Sequence, residues 1–328
     1  MRRFFKALIA VWMMLLLVGC TKQSSKQETD KELFVIGFSQ VGAESDWRLA
    51  NTRSMQETFT NERGYELIME NAKQQQDNQF AAVRRFILED VDLIVIAPTK
   101  EDGWDIILEE VHEAGIPVII MDRSVSIWNK DLYLTNIGSD FLKQGEEAIM
   151  WIEQNMPSSN EDKLNILHLK GTDGSTAQLM RTKALEEANQ RHDDWHIVKQ
   201  LDGDFTEAKG YEVMTEYLKK NQDFDVIYSE NDNMTFGALR ALDEAGISYG
   251  ENGKVKIITF DATQRALQLC FEGKINLCVE CNPLHGPLVE ELIQKYRNGE
   301  DILKTVYISE AVYTKESLTQ EFIDQRTY

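Results

Sequence analysis

Polar side chains stand at the ends of several apolar segments of this 328-residue chain. They are Ser39 and Gln40, Asp122 and Arg123, Asn231, Asp232 and Asn233, Asp261, and Asn282. Asp122 and Arg123 directly follow the apolar run at 118–121. A carboxylate offers acceptors and a guanidinium offers a fixed fork of donors, so this pair could bind neighbouring hydroxyl groups such as those of a sugar. Taken alone, the same two residues could equally be a capping aspartate and a surface arginine.

Other patterns that could support catalysis or metal binding are incomplete. Residues 202–213 begin like a calcium loop but lack its central glycine and its final glutamate. Residues 171–174 lack the Gly-Lys-Ser/Thr sequence that completes a phosphate-binding loop. The C-x-x-C of Cys278 and Cys281 has no second pair to form a zinc site, so we expect these residues and Cys270 to be buried thiols. The sequence predicts a protein that needs no metal or cofactor and is not an enzyme, although polar strand ends could in principle host acid/base chemistry.

Apolar runs alternate with helical patterns along the chain. Strands are predicted at 33–39, 65–72, 92–98, 118–122, 164–171, 195–201, 225–230, 255–261 and 275–283, and helices at 47–63, 78–88, 104–114, 140–154, 176–190, 206–220 and 233–245. This alternation is typical of βαβ units in a parallel sheet, and its restart in the second half predicts two doubly wound α/β domains. Ligands of such sheets bind beyond the carboxyl ends of the strands, which is where the polar residues fall.

The N-terminal segment has the pattern of an export signal. Basic residues in the first six positions precede an apolar run at 7–19, which is short for a membrane span and ends in the sequence LVGC at 17–20. We expect 1–19 to be a signal peptide and Cys20 to carry a lipid; a plain signal peptide with a chance cysteine is the alternative. Residues 20–32 would then be a disordered tether, because after Cys20 they include no apolar side chain. The protein would sit on the extracytoplasmic face of the cell membrane, held by its lipid.

The net charge of the chain is −20 at pH 7, which argues against nucleic-acid binding because that function needs a basic face.

Several segments together resemble the ribose/galactose-type periplasmic binding protein family, and within it the galactofuranose-binding branch. They are GFSQVGAESDWR (37–48), IAP (96–98), IPVIIMDRS (116–124), GDFTEAKGYEVM (203–214), SENDNMTFGALRAL (229–242), ITFDAT (258–263) and VECNPLHGP (279–287). Their order and spacing are those of the family, and the resemblance covers roughly 33–310. Any one of these segments is a weak signal, but the set is specific.

The resemblance implies a set of ligand-binding residues. It places hydroxyl-binding groups at Asp122, Arg123, Arg181, Asn231 and Asp261, a hinge contact at Asn282, an aromatic at Phe205, and contacts from the first strand and its loop at Ser39, Gln40, Glu44, Trp47 and Arg48. Trp47 and Phe205 could then contact the apolar face of a sugar ring while the polar groups satisfy its hydroxyls.

The resemblance also implies an architecture and a function. It predicts a type I periplasmic binding protein fold with three chain crossings, an N-terminal lobe of 33–137 plus 282–310, and a C-terminal lobe of 138–281 plus 311–328. The lobes would close on a monosaccharide, galactofuranose or a related aldose, and a monomer would deliver it to an ABC permease. A sugar-sensing receptor that signals to a histidine kinase or chemoreceptor is the alternative, since its ligand site would look the same. A transcription regulator would need a basic helix-turn-helix where the export signal stands.

Overall fold

The computed structural model describes residues 33–156 and 163–328. The predicted signal peptide, lipidated Cys20 and tether therefore lie outside the described residues. The helices of the described chain are α1 (Asp46–Thr58), α2 (Gln76–Leu88), α3 (Asp105–Glu113), α4 (Phe141–Asn155), α5 (Thr176–Arg191), α6 (Glu207–Leu218), α7 (Asp232–Ala245), α8 (Gln264–Phe271), α9 (Gly286–Arg297) and α10 (Gln320–Asp324). Within these residues, none of the helices has both the length and the apolar character needed to span a bilayer.

Six parallel strands form the first sheet. They are β1 (Phe34–Gln40), β2 (Tyr65–Asn71), β3 (Leu93–Ile96), β4 (Val118–Met121), β5 (Thr135–Gly138) and β11 (Thr305–Tyr307), in the order β11-β5-β4-β3-β1-β2. Every residue of β3 is buried, and its side chains alternate between two apolar layers. Ile94 packs in one layer with Phe86 of α2, and Leu93 packs in the other with Met55 of α1. Burial on both faces is the reason for the unbroken apolar runs in the sequence.

The second sheet repeats this arrangement. Its strands are β6 (Leu164–Lys170), β7 (Trp195–Asp202), β8 (Val226–Ser229), β9 (Lys256–Asp261), β10 (Leu277–Glu280) and β12 (Val312–Tyr313), in the order β12-β10-β9-β8-β6-β7. All pairs are parallel except β10 with β12. The predicted fold class of two doubly wound parallel sheets is therefore confirmed.

The chain passes three times between the two sheets. It leaves the first sheet after β5, returns from the second after β10, and leaves the first again between β11 and β12. We call the connecting segments crossing one (138–140), crossing two (281–285) and crossing three (308–311). Crossing one begins at the carboxyl end of β5, crossing two at that of β10 and crossing three at that of β11.

Some element boundaries differ from those predicted. The first helix ends at Thr58 rather than at residue 63, because Phe59 leaves the helical conformation and packs edge-on against the ring of Tyr65. A short 3₁₀ turn at Asn61–Arg63 and a left-handed Gly64 complete the connection. Strands β5, β11 and β12 were not predicted, because β5 begins with the polar residues Thr135 and Asn136, and β11 and β12 are only three and two residues long.

Candidate functional site

A cavity with an empty volume of about 310 Å³ lies beyond the carboxyl ends of strands from both sheets. Asp122 directly follows β4, Asp261 ends β9, and Cys281 directly follows β10. The lining residues are Glu44, Ser45, Trp47, Arg48, Asp122, Arg123, Phe141, Ala177, Arg181, Phe205, Asn231, Asp261 and Cys281. The lining combines charged side chains with aromatic rings, which suits a small polar molecule.

The first turn of α1 supplies one wall of the cavity. Ser45 caps this helix by accepting from the backbone N of Arg48. The Arg48 guanidinium donates to Asp122 Oδ2 at 2.7 Å, to Glu44 Oε1 at 3.0 Å and to Gln40 Oε1 at 3.3 Å. Arg48 is thus bound by three protein acceptors, so its main effect is to hold Asp122 and Glu44 in place.

A close backbone approach fixes the position of Asp122. This residue is in the left-handed region, with φ of 67°, and its backbone N donates to Ile137 O at 2.7 Å. A Cβ on Gly138 would stand 2.5 Å from the carbonyl oxygen of Asp122. Only glycine fits at position 138, where crossing one begins, and the carboxylate of Asp122 depends on that fit.

Arg123 is buried but only partly satisfied. Its side chain is 2% exposed, and Nη1 donates to Thr99 O at 3.0 Å, while Nη2 is 3.6 Å from Glu44 Oε1. Within 33–156 and 163–328, Arg123 Nε and Glu44 Oε2 are buried without a hydrogen-bond partner. A buried polar group without a partner costs about 1–3 kcal/mol, so one free donor and one free acceptor beside a cavity indicate a polar ligand.

The opposite wall comes from the second sheet. Arg181 on α5 lies 4.0 Å from Asp261 Oδ1, and its Nη1 donates to Glu230 O. Phe205 has a φ of 59°, and a Cβ on Gly171 would stand 1.9 Å from its ring. The ring therefore lies directly over Gly171 and turns toward the cavity.

Asn231 also lines this wall, but its side chain is used by the protein. Its Oδ1 caps α7 by accepting from Met234 N at 2.9 Å, and its Nδ2 donates to Phe205 O at 3.1 Å. The residue consequently links the start of α7 to the segment that carries Phe205.

Two aromatic rings face the cavity from different sheets. Trp47 donates from its indole Nε1 to Cys281 O at 2.6 Å, and the Arg48 guanidinium lies over its ring, 4.6 Å from the centroid. The Arg123 guanidinium lies 5.4 Å from the centroid of the Phe205 ring. The cavity thus combines apolar ring surfaces with charged groups that flank them.

The carboxyl groups of the cavity have different protonation tendencies. Burial alone would raise the pKa of Asp122, but the charges of Arg48 and Arg123 hold it below its usual value. Burial and the charge of Arg48 lower the pKa of Arg123 to about 10. Burial, with the charge of Asp232 nearby, raises the pKa of Asp261 well above its usual value. Of the two carboxyl groups, Asp261 is therefore the more easily protonated, and Asp122 is the one whose charge the neighbouring guanidinium groups favour.

A family profile described as a periplasmic binding protein domain matches residues 36–284. The chain belongs to the periplasmic binding protein family. The resemblance found in the sequence is therefore confirmed, and the two sheets with three crossings are its type I fold.

Individual relatives of this periplasmic binding protein are similar over nearly their full length. The galactofuranose-binding protein YtfQ of Escherichia coli (strain K12) is 30% identical, over 95% of this chain and 97% of the relative. A crystal structure from Mycobacterium smegmatis in complex with β-D-fucofuranose is 37% identical with a TM-score of 0.82, covering 86% of this chain and 92% of the other. The periplasmic component of the arabinose ABC transporter of Shewanella sp. ANA-3, bound to α- and β-L-arabinofuranose, is 34% identical with a TM-score of 0.82, covering 89% and 95%.

Nine of the residues predicted from the sequence line the cavity of this periplasmic binding protein. They are Glu44, Trp47, Arg48, Asp122, Arg123, Arg181, Phe205, Asn231 and Asp261. Three others stand behind it. Ser39 is fully buried, Gln40 donates to Asn51 and Thr52, and the Asn282 side chain accepts from the backbone of crossing two at Leu284 N.

Four lining residues were not among those predicted: Ser45, Phe141, Ala177 and Cys281. Cys281 was expected to be a structural thiol, and it is buried, but its position directly after β10 is the same strand-end signal that identified Asp122. Phe141 opens α4 just after crossing one, and the strand before it, with sequence TNIG, is not an apolar run that the sequence analysis could recognise.

Proposed function

We propose that this periplasmic binding protein captures a monosaccharide, galactofuranose or a related aldose, in the cavity between its two sheets and delivers it to an ABC permease. The observation that carries the proposal is the pair of buried atoms Arg123 Nε and Glu44 Oε2, which have no hydrogen-bond partner within the described chain. A sugar hydroxyl both donates and accepts, so neighbouring hydroxyls could satisfy both atoms.

The walls of the cavity support a sugar of this class. Trp47 and Phe205 offer apolar surfaces for the C–H groups of the ring, and charged groups surround them. Relatives include a galactofuranose-binding protein and structures bound to β-D-fucofuranose and to L-arabinofuranose, which favours a five-membered ring.

Contacts across the mouth of the cavity support a mechanism of closure. Asp46 N donates to Asn233 Oδ1 at 3.0 Å, and Ser124 N donates to Thr176 Oγ1 at 2.8 Å. Each pair joins a residue near the first sheet to one near the second. We propose that lobes of 33–137 plus 282–310 and 138–281 plus 311–328 open by breaking such contacts and close over bound sugar.

The proposal includes how the protein reaches its place of action. Residues 1–19 would direct export, Cys20 would carry the lipid, and 20–32 would hold the folded body, a monomer, off the membrane. Membership of the periplasmic binding protein family supports an extracytoplasmic location. The sugar would be released unchanged, so we propose a binding protein rather than an enzyme.

Calorimetric titration would test the proposal directly. Protein lacking residues 1–20 would be unfolded and refolded to remove bound sugar, then titrated with D-galactose, L-arabinose, D-ribose and D-fructose. These sugars equilibrate among ring forms in water, and only the fraction in the bound form counts toward the measured affinity. Galactitol is the matched control, since it has hydroxyls like those of galactose but cannot form a ring.

We expect saturable one-to-one binding of D-galactose or L-arabinose and none of galactitol. Sugar released from freshly purified protein and identified by mass spectrometry should be chemically unchanged. Absence of binding by every sugar in the set, with refolding confirmed by circular dichroism, would contradict the proposed function.

A further inference from the structure

Gln144, in the first turn of α4, is buried behind the cavity and makes four hydrogen bonds. Its Oε1 accepts from Arg181 Nη2 at 2.7 Å and from Arg181 Nε at 3.1 Å. Its Nε2 donates to Glu310 Oε2 at 2.7 Å and to Glu280 O at 2.9 Å. Gln144 does not line the cavity, but it holds the side chain of Arg181, which does.

The orientation of the Gln144 amide is determined by its neighbours. Arg181 has only donors, so it requires the amide oxygen. Glu310 as a carboxylate and the Glu280 carbonyl have only acceptors, so they require the amide nitrogen. A flipped amide would set donor against donor at Arg181 and acceptor against acceptor at Glu310, so only one orientation satisfies all four bonds.

Glu310 connects this amide to the segments that join the two sheets. It lies in crossing three, and its Oε1 accepts from Ser139 Oγ at 2.5 Å and from Asn282 N at 2.7 Å. Ser139 belongs to crossing one and Asn282 to crossing two. The carboxylate of Glu310, itself part of crossing three, therefore binds crossings one and two through its Oε1. Its Oε2 accepts from Gln144 and so orients the amide.

We infer that Gln144 is a positioning residue for the sugar site, and that Glu310 orients it according to the arrangement of the three crossings. When the crossings take the arrangement seen here, Glu310 fixes the orientation of the Gln144 amide, and the amide oxygen holds the Arg181 guanidinium in its position beside the cavity. A change in the crossings during opening would release Arg181, so sugar affinity and hinge geometry are linked. The link rests on the proposed sugar-binding function.

Glu310→Gln tests the link with little change in shape. The new Oε1 can still accept from Ser139 and Asn282, but the new Nε2 faces the Gln144 Nε2, donor against donor. Gln144 must then flip or move away, and Arg181 loses the acceptor of its Nε and Nη2 while Nη1 keeps Glu230 O. We expect the dissociation constant for D-galactose to rise about tenfold or more, as for the loss of a hydrogen bond to a charged group, mainly through faster dissociation.

An exchange of the two residues provides the rescue. Gln144→Glu alone places two carboxylates together and should weaken binding at least as much. In the double variant Gln144→Glu/Glu310→Gln, position 310 donates to position 144, and the carboxylate at 144 still accepts from Arg181. We expect most of the lost affinity to return, although the Glu280 carbonyl remains without its donor.

Tyr228→Phe is the matched control. Its hydroxyl donates to the backbone O of Arg181 at 3.0 Å, so the variant removes a buried hydrogen bond on the same helix without touching the guanidinium. It should lower the melting temperature and leave the D-galactose affinity within threefold. Affinity unchanged in Glu310→Gln, or no recovery in the double variant, would overturn the inference.

A crystal structure of Glu310→Gln gives a measurement that does not depend on sugar binding. We expect the Arg181 guanidinium to have moved from its place beside Gln144. An unmoved guanidinium would overturn the inference even if no sugar binds the wild type, whereas failure of the wild type to bind any sugar would contradict only the proposed function.

Discussion

Replacement of Arg123 by alanine is the change whose consequence the structure specifies best. The variant removes the unpartnered Nε, the bond from Nη1 to Thr99 O, and the cation above the Phe205 ring. It leaves Arg48, which binds Asp122 and Glu44 directly, in place. The cavity keeps its walls but loses the donor that we assign to a sugar hydroxyl.

The expected loss of affinity follows from the burial of Arg123. Truncating one side of a buried, hydrogen-bonded charged contact costs about 2–5 kcal/mol of binding free energy. At about 1.4 kcal/mol per factor of ten, the dissociation constant should rise about 30-fold to several thousand-fold. Arg123→Lys keeps the charge but not the planar fork, so its loss should be intermediate.

The stability of the free protein should change much less. Burial and the charge of Arg48 lower the pKa of Arg123 to about 10, so its surroundings do not favour its charge. The only hydrogen bond lost is to Thr99 O, worth about 1 kcal/mol net. A loss of that size shifts the melting temperature by no more than about 4 °C in a protein of this class.

The assay is calorimetric titration with D-galactose beside a melting curve without sugar. Arg84→Ala is the matched control, because Arg84 is an exposed arginine paired with Glu110 on the outer surface. It should leave affinity unchanged. If Arg123→Ala binds within threefold of wild type, Arg123 does not contact the sugar, and a collapse of the melting temperature would make it a structural arginine instead.

Three further changes can be predicted. Cys20→Ser should move the protein from the membrane to the soluble fraction on cell fractionation, and wild-type membrane retention would exclude the lipid anchor. Saturating sugar should reduce the radius of gyration in small-angle scattering of refolded protein, and superimposable curves would argue against closure. Burial lowers the pKa of His285 from 6.5 to about 4. Between these pH values the folded state binds fewer protons than the unfolded state, so the stability present above pH 6.5 is lost as the pH falls toward 4. In urea unfolding, the free energy of unfolding of His285→Phe should fall by up to about 3 kcal/mol less than that of the wild type between pH 7 and pH 4.5. An equal pH dependence in both proteins would exclude this role.

The fold could be predicted because its signals are local. Strands such as β3 and β4 are buried on both faces, so each appears as an uninterrupted apolar run followed by polar residues at the sheet edge. Asp122 and Asp261 were found from that edge position. Strands β5 and β11 were not found, since their sequences, TNIG and TVY, contain polar residues and form no uninterrupted apolar run.

The use of each polar side chain could not be predicted in the same way. Gln40 ends β1, at the same sheet edge as Asp122, but its amide binds Asn51 and Thr52 rather than facing the cavity. Gln144 has the sequence signature of an ordinary helical residue, and its partner Glu310 is 166 positions away. Such roles depend on which donors and acceptors remain free after folding, which only the three-dimensional contacts determine.

A crystal structure with bound sugar tests the central claim most directly. Refolded protein would be crystallised with whichever of D-galactose and L-arabinose binds more tightly in calorimetry. We predict a five-membered ring between Trp47 and Phe205, with Arg123 Nε and Glu44 Oε2 each within about 2.7–3.2 Å of a sugar hydroxyl. Sugar bound elsewhere, with both of these atoms still without a partner, would contradict the account.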